Sequence, residues 1–356
     1  MLENEKTTEK PTKIAVDVMS GDLGPTEAIK GAAEVTQETS INVLLVGDQA
    51  IIQEVLEKTP HNPGQISVLH APTVITMEDS PREAVENKKD SSLFQAVKAA
   101  ADNMTDAVVS AGNTGAYILC CSTLIPRIPG IKKTALSTVY PTHQKTPSGD
   151  RFALMLDVGA TIRCTAEDLT QFAIMGAAYA RDISYAKAPV VGLLNIGKEP
   201  HKGGETLTKT YNYLENIPGL KFLGNVEGNE LPLGPVDVVV CEGFVGNAVI
   251  KLAEGLQDVA QNLGKAAFKR HFIWKVGILM LAGGLKQLKK ITDYSTYGGA
   301  PILGFEQICI KAHGKSNAKA INNAIKVAAK AVRGKVPEDI RECVASFQAK
   351  LKSQAS

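Results

Sequence analysis

The 356 residues of this chain can bury a large core, as one big domain or as two lobes. Its 44% apolar and 21% charged residues are ordinary for a soluble globular protein. The 39 basic and 37 acidic residues nearly cancel and only 5% of residues are aromatic, so we expect no nucleic-acid partner. The six cysteines form no C-x-x-C pair and lie mostly in apolar segments, which predicts reduced core thiols of a cytoplasmic protein.

Residues 1–11 are polar and carry no apolar signal core, so they are predicted to be a disordered lead-in. From residue 12 onward, apolar strands alternate with amphipathic helices at the spacing of βαβ units, which predicts a doubly wound, largely parallel α/β sheet. We expect a single catalytic domain over residues 12–334 and a helical tail over residues 335–356. The strands are predicted near Lys13–Met19, Asn42–Asp48, Ile66–Leu69, Val108–Ser110, Leu154–Asp157, Val191–Asn195, Lys221–Asn225, Val238–Cys241 and Ile308–Ser316, with an antiparallel one at Thr134–Tyr140.

Glycine-rich turns follow several of these strands. Gly112, Asn113, Thr114 and Gly115 stand between a buried strand and a helix, where glycine lets a ligand approach the backbone and free N–H groups favour an anion. A tight βα turn without a ligand is the alternative. The design recurs at Gly243–Asn247, and two more strands end in Gly beside Asp157 or Asn195. Ligands of open α/β sheets bind outside the carboxyl ends of the strands, so the four ends predict one anion-binding crevice.

An unusual segment spans about residues 262–292. Its apolar residues are flanked by Lys and Arg, include the chain's single tryptophan, and are interrupted at Gly283 and Gly284. It is too short to cross a bilayer, which needs about 20 apolar residues. A protruding helical hairpin on an anionic membrane surface fits this pattern, with Trp274, Ile278 and Leu281 as contact residues. A helix pair at a dimer interface fits it as well, and both roles can coexist.

Several chemistries lack their signatures. The sequence contains neither G-x-G-x-x-G after a strand, nor a P-loop, nor a G-x-S-x-G elbow, and its acidic residues show no metal-ligand spacing. We therefore expect no cofactor and no metal. The Gly, Asn, Asp and Glu residues at strand ends, together with His313 and Lys98, suit binding of a small anion and stabilisation of an oxyanion. They do not suggest a covalent protein nucleophile.

Eight ordered motifs resemble one family. They lie at Asp17–Asp22, Ser110–Ala116, Leu156–Ala160, Gln171–Gly176, Leu194–Gly197, Val240–Asn247, Tyr297–Gly304 and Ala312–Gly314. Over about residues 13–332 the chain resembles the bacterial PlsX-type phosphate acyltransferases. The resemblance implies a fold similar to the isocitrate and isopropylmalate dehydrogenases, without nicotinamide. It implies transfer of a fatty acyl group from acyl carrier protein (ACP) to inorganic phosphate, giving acyl phosphate for phospholipid synthesis.

The resemblance also implies partners. These are ACP, phosphate, a second copy of the chain in a homodimer, an anionic membrane surface reached through the hairpin, and a membrane acyl-phosphate:glycerol-3-phosphate acyltransferase that takes the product. Because ACP is acidic, basic residues near the hairpin are expected to bind it, or Lys88 and Lys89. Those near the hairpin are Lys265, Lys269 and Arg270.

Phosphate would itself be the nucleophile in this reaction, so the site residues are expected to bind and orient. We expect phosphate at the Gly112–Gly115 and Gly243–Asn247 turns, Gly246 included, with Asp17 and Asp157 beside them. Asn195, Asn225 and His313 are candidates for orienting the thioester, and Lys98 is a further catalytic candidate. The chain departs from the family pattern at Ser20, where Gly is usual, at Glu242, where Asp is usual, and at Asn87, where Arg is frequent.

Three other functions stay open from the sequence. A decarboxylating dehydrogenase of the same fold group would need NAD. A phosphotransacetylase would act on acetyl-CoA. A membrane scaffold would carry ACP or an acyl phosphate without turnover.

Overall fold

The computed structural model describes residues 11–183, 186–270, 272–281, 283–284 and 298–355. Its strands are β1 Lys13–Asp17, β2 Asn42–Gly47, β3 Ile66–His70, β4 Ala107–Ser110, β5 Ala135–Pro141, β6 Phe152–Leu156, β7 Val190–Asn195, β8 Lys221–Glu227, β9 Val238–Val240, β10 Ala300–Leu303 and β11 Ile308–Lys311. Its helices are α1 Pro25–Glu38, α2 Gln49–Glu57, α3 Pro81–Asn87, α4 Ser92–Ala101, α5 Thr114–Leu124, α6 Ala166–Ile183, α7 Gly204–Glu215, α8 Gly243–Arg270, α9 Phe272–Met280, α10 Ala318–Arg333 and α11 Val336–Ala355.

The chain divides into two compact units. Unit 1 contains residues 11–126 and 305–335. Its strands lie in the order β3-β2-β1-β4-β11, and all four pairings are parallel. The central strands are continuous apolar runs because both faces of a parallel sheet are covered by helices. Helices α1, α2 and α10 form one packed group and α3, α4 and α5 another.

Unit 2 contains residues 127–304 and 336–355. Its strands lie in the order β10-β5-β6-β9-β7-β8. The β10–β5 and β5–β6 pairings are antiparallel and the other three are parallel. The antiparallel strand expected at Thr134–Tyr140 is therefore confirmed as β5, and the mostly parallel α/β fold class is confirmed in both units.

The carboxyl ends of neighbouring parallel strands lie at one edge of each sheet. In unit 1, Asp17 of β1 and Lys311 of β11 both pair in register with Ser110 of β4. In unit 2, β9 lies between β6 and β7, so the turns that follow these three strands are neighbours. The turns singled out in the sequence stand at these two edges.

Candidate functional site

A buried carboxylate organises the strand ends of unit 1. Asp17 is 1% exposed. Its Oδ1 accepts a hydrogen bond of 2.7 Å from the Ser92 hydroxyl, and its Oδ2 accepts one of 2.6 Å from the Ser110 hydroxyl. The N–H of Gly112 donates to the oxygen of Ser110 at 3.0 Å. Asp17 therefore joins the end of β1, the start of α4 and the turn after β4.

Asn113 caps helix α5. Its Oδ1 accepts from the N–H of Ala116 at 3.1 Å, which is the usual function of Asn at an N-cap. Its Nδ2 donates to the carbonyl oxygens of Met77 and Asp79, each at 3.2 Å. Both ends of the side chain thus hold backbone, and Asn113 positions the loop before α3 against the turn.

The glycines of this turn allow close packing. A methyl group built on Gly112 would lie 2.7 Å from Cβ of Ser20, and one built on Gly115 would lie 2.8 Å from Cγ of Pro81. Thr114 is exposed and begins α5. The N–H groups of Thr114 and Gly115 stand in the first turn of the helix, where no carbonyl of the same helix can accept from them. The turn therefore offers two N–H donors to an anion.

Lys311 also lies at these strand ends, although it was not among the residues predicted from the sequence. It is 7% exposed at the end of β11, and its ammonium donates to the carbonyl oxygen of Ala312. Burial lowers the pKa of this ammonium to about 8, although the charges of Asp17 and Asp22 oppose the shift. The one signal in the sequence was its position directly before the Ala312–Gly314 motif.

The structure separates His313 from Lys98. His313 is exposed two residues beyond β11, and its Nδ1 accepts from the N–H of Lys315 at 3.1 Å. Lys98 forms an ion pair with Asp102 near the end of α4, whereas Ser92 at the start of that helix contacts Asp17. His313 thus lies by the strand ends of unit 1. The contacts of Lys98 give its predicted catalytic role no support.

Asp157 organises the strand ends of unit 2. It follows β6 and is fully buried. Its Oδ1 accepts from the N–H groups of Leu136, Gly159 and Ala160 at 2.9–3.1 Å. Its Oδ2 accepts from the N–H and the hydroxyl of Thr161 at 2.7 and 2.8 Å. The carboxylate is therefore saturated by five donors and fixes the loop after β6.

Helix α8 begins against this loop. A methyl group on Gly243 would lie 2.5 Å from Oδ2 of Asp157, and one on Gly246 would clash with the Asp157 carbonyl oxygen. Asn247 is exposed and its side chain faces Gly159. Glu242, the residue before the helix, accepts from the N–H of Cys164 at 3.0 Å. The two glycines are required because α8 starts directly on the Asp157 loop.

Asn195 and Asn225 hold one loop in unit 2. The Nδ2 of Asn195 donates to the carbonyl oxygen of Lys202 at 3.0 Å, and the Nδ2 of Asn225 donates to that of Glu199 at 2.8 Å. Each residue is 7% exposed. The Oδ1 of Asn195 accepts from the N–H of Ile196, whereas the buried Oδ1 of Asn225 has no partner within the described residues.

The thiols near the site are protonated at neutral pH. Burial raises the pKa of Cys164 to about 11 and raises that of Cys241 further, since Cys241 is fully enclosed beside Asp157. A thiol is a nucleophile only as the thiolate. Five of the six cysteines are buried, as expected for core thiols, and their reduced state stays a prediction. Within the described residues, His, Cys, Asp and Glu form no group of three that could hold a metal.

The predicted hairpin is described only in part. Helix α8 runs without a break through residue 262 to Arg270, and α9 follows it. Leu281 is 64% exposed. The side chains of Trp274 and Ile278 and all of residues 285–292 lie outside the described residues. No helix within the described ranges is long and apolar enough to cross a membrane.

Comparison with solved structures places the fold. The chain superposes on a phosphotransacetylase from Streptococcus pyogenes with a TM-score of 0.63 at 15% identity, covering 91% of this chain and 94% of the other. It also superposes on a 4-hydroxythreonine-4-phosphate dehydrogenase from Klebsiella pneumoniae with a TM-score of 0.50 at 14% identity, covering 92% and 99%. At such identities the likeness concerns the fold alone.

Comparison of sequences identifies the family. Residues 12–339 match the family described as "Fatty acid synthesis protein". A phosphate acyltransferase from Dictyoglomus turgidum is 44% identical over 331 residues, covering 93% of this chain and 97% of the relative. This identity extends over nearly the whole of both chains, so the chain belongs to the phosphate acyltransferase family of fatty acid and phospholipid synthesis and is an acyltransferase.

Proposed function

We propose that this acyltransferase moves a fatty acyl group from ACP to inorganic phosphate and releases acyl phosphate for phospholipid synthesis. The family supplies the reaction class. The observation that favours a long acyl chain is a set of exposed apolar side chains at the strand ends of unit 2.

These side chains are Ile162, Ile196 and Phe244, and we call them the apolar rim. They are 76%, 80% and 69% exposed, and they follow the neighbouring strands β6, β7 and β9. Large apolar side chains clustered at a strand edge are typical of a surface that binds an apolar ligand. Each CH₂ group that the rim removes from water contributes about 0.8 kcal/mol, so four more carbons favour a substrate by about 3 kcal/mol. An acetyl group would gain little from this surface.

The proposed chemistry needs no protein nucleophile. A phosphate oxygen attacks the thioester carbonyl carbon, the carbonyl oxygen becomes an oxyanion, and the carbon–sulfur bond then breaks. The acyl group leaves as acyl phosphate and the thiolate of ACP takes up a proton. Because a thiol has a pKa near 8.5, the thiolate departs with little help from an acid. The protein's task is to position phosphate against the carbonyl and to donate hydrogen bonds to the oxyanion.

We retain the predicted roles as proposals. The Gly112–Gly115 and Gly243–Asn247 turns are the candidates for phosphate, and His313, Asn195 and Asn225 are those for orienting the thioester. Asn195 and Asn225 would act through the loop that their amides hold. Asp17 and Asp157 would keep the turns in place.

Homodimerisation is proposed on the exposed face of α8. Leu252, Leu256, Val259 and Leu263 are 55–66% exposed and follow one another at spacings of four, three and four residues. This is the pattern of a helix seam that packs against another helix. We call these four residues the α8 seam and propose a second copy of the chain as its partner.

We propose that the residues after the α8 seam, in and beside α9, contact the membrane and ACP. In and beside α9, Ile273, Leu279, Met280 and Leu281 are 58–82% exposed. Lys265, Lys269 and Lys275 are exposed nearby, which suits an acidic partner or an anionic leaflet. Lys88 is a weaker candidate for ACP because it pairs with Asp79 at 2.6 Å. A membrane acyltransferase that uses acyl phosphate would consume the product.

The reaction is tested with palmitoyl-ACP and phosphate. Free thiol and acyl phosphate should appear in equal amounts, should depend on phosphate and should persist in EDTA. A requirement for NAD would indicate the dehydrogenase instead. Equal rates with acetyl-CoA would indicate a phosphotransacetylase, and binding of ACP without thiol release would indicate a scaffold.

The apolar rim is tested by Phe244→Ser and Ile196→Ser. Each variant should raise the KM for a long acyl-ACP several-fold and leave that for a four-carbon acyl-ACP unchanged. Leu223→Ser is the matched control, since Leu223 is 57% exposed on β8, outside the rim. Equal KM changes for both chain lengths would contradict acyl binding at the rim.

A further inference from the structure

Lys311 is a buried cation without a counter-ion in contact. It is 7% exposed, and its ammonium donates a hydrogen bond to the carbonyl oxygen of the next residue, Ala312. Within the described residues no carboxylate lies within 4.0 Å of its ammonium nitrogen. A buried ammonium is costly unless it is paired, and three donors with one acceptor leave it poorly satisfied.

The surroundings of Lys311 are the turn already described. Lys311 pairs in register with Ser110, and the N–H of Ala312 donates to the Ser110 carbonyl oxygen at 2.9 Å. Gly112 follows two residues after Ser110. Next to it, the buried hydroxyl of Ser20 also has no partner among the described residues, and it would lie 3.0 Å from a methyl group on Gly112. A hydroxyl without a partner and a buried ammonium with one acceptor therefore lie at the strand ends that precede α5.

We propose that Lys311 is the cation that binds inorganic phosphate at the Gly112–Gly115 turn of unit 1. The N–H groups at the start of α5 and the Ser20 hydroxyl complete the donor set. This inference rests on the proposed use of phosphate as acyl acceptor, and it selects one of the two candidate turns.

The other turn is less suited to an anion. At the start of α8 the Asp157 carboxylate already stands beside Gly243, 2.5 Å from the position of an added methyl group. That negative charge interacts favourably with the N-terminus of the helix and would repel a phosphate dianion. In unit 1 the Asp17 carboxylate is also present, but there the charge of Lys311 offsets it, whereas the five donors to Asp157 are all neutral groups.

The groups that face Lys311 define how its charge responds to pH. Asp17 of β1 and Asp22 of the following loop favour the charged ammonium, and burial disfavours it. On α5, burial raises the pKa of Tyr117 and of Cys121 well above their ordinary values, so both remain neutral over the relevant range. His313, two residues further along the chain, is exposed.

Phosphate binding should therefore depend on the protonation of Lys311. If only the ammonium form binds and its pKa is about 8, the Kd for inorganic phosphate should rise about 25-fold between about pH 7.5 and 9.5. Titration calorimetry of the intact protein with inorganic phosphate alone measures this. At about pH 8.5, heats in two buffers of different ionisation enthalpy should reveal uptake of part of a proton. A Kd that is constant over this range, together with an unchanged Kd for folded Lys311→Met, would overturn the proposal.

Two substitutions localise the effect. Lys311→Met should weaken phosphate binding 10- to 100-fold at about pH 7.5 and remove the pH dependence, as expected for the loss of a charged hydrogen-bond donor. Lys311→Arg stays charged throughout, so its phosphate affinity should not change between about pH 7.5 and 9.5. Lys30→Met is the matched control, because Lys30 is exposed on α1 of the same unit.

The outcomes separate this inference from the proposed function. Phosphate-dependent release of thiol from acyl-ACP together with unchanged phosphate affinity in folded Lys311→Met would overturn the role of Lys311 and leave the function standing. Phosphate binding that depends on Lys311 in a protein that releases no thiol would support the subsite and remove the function.

Discussion

At the scale of single residues, several polar side chains at the strand ends hold backbone. Asp157 accepts five hydrogen bonds, and both ends of Asn113 are occupied by main-chain groups. Substitution of such a residue changes the loop before it changes any contact with substrate. The stability of these variants must therefore be measured together with their activity, so that a loss of activity can be assigned to its cause.

Asp157→Asn should destabilise unit 2. The amide NH₂ that replaces one carboxylate oxygen would face N–H donors, so at least one buried donor loses its partner, at a cost of about 1–3 kcal/mol or more. Urea unfolding monitored by circular dichroism measures the change. Asp258→Asn removes the same charge at an exposed position of α8 and should shift the midpoint little. Similar midpoints for the two variants would show that the Asp157 network contributes no net stability.

Lys311 should make stability depend on pH in the alkaline range. Its pKa is about 8 in the folded protein and near 10.5 in the unfolded chain, so the unfolded state binds more protons between these values. The contribution of this group to the free energy of unfolding is therefore constant below about pH 8. It rises by as much as about 3 kcal/mol as the pH increases from about 8 to about 10.5. In phosphate-free buffer, Lys311→Met should exceed the wild type in unfolding free energy at about pH 7.5. The difference should shrink as pH approaches 10, and a difference that does not vary with pH would contradict the buried charge.

At the scale of elements, the sequence predicts most strands and helices because their apolar periodicity and their caps are local. Strand β10 was missed because Gly298 and Gly299 before it and Gly304 after it are typical of loops, and all three glycines take positive φ. Helix α8 extends through residue 262, where the hairpin was expected to begin, because its residues up to Arg270 contain no proline to stop it. The hydrogen bonds of Asn113 to the loop before α3 span 34 and 36 residues, so no local pattern could reveal them.

Substitution of two glycines in α8 by alanine should have opposite effects on stability, because their surroundings differ. A methyl group on Gly246 would clash with the Asp157 carbonyl oxygen, whereas one on Gly255 would meet nothing within 4 Å. Gly246→Ala should therefore lower the unfolding midpoint and the activity, because the start of α8 must move. Gly255→Ala should add about 0.5–1 kcal/mol through helix propensity. Thermal unfolding of both variants tests the contrast, and a neutral Gly246→Ala would show that α8 does not need its close approach to the Asp157 loop.

At the scale of the whole molecule, a net charge of +2 does not reveal the local basic and apolar surfaces. The sequence indicated the acyltransferase class through its ordered motifs, and the turns it singled out do stand at strand ends. It could not indicate Lys311, because a lysine at the end of a strand reads as solvated until the neighbouring strand and helices enclose it. The apolar rim could not be predicted either, since its three residues are far apart in the chain and the strands that they follow become neighbours only in the order β6-β9-β7.

Two substitutions test whether the exposed apolar residues after Gly243 form a dimer interface, a membrane contact or both. Leu256→Asp places a charge in the α8 seam, and Leu281→Glu places one beyond α9, at positions that are 61% and 64% exposed. If the seam packs against a second copy and the later segment lies on lipid, Leu256→Asp should yield monomers in analytical ultracentrifugation, since a buried unpaired charge opposes association.

Leu281→Glu should stay dimeric and active but should no longer sediment with vesicles that contain anionic lipid, because it loses apolar burial and adds repulsion from the leaflet. Sedimentation of the wild-type protein with neutral vesicles is the control for the electrostatic contribution to membrane binding. If Leu281→Glu becomes monomeric and still sediments with anionic vesicles, the segment beyond α9 is a dimer contact and the membrane surface lies elsewhere.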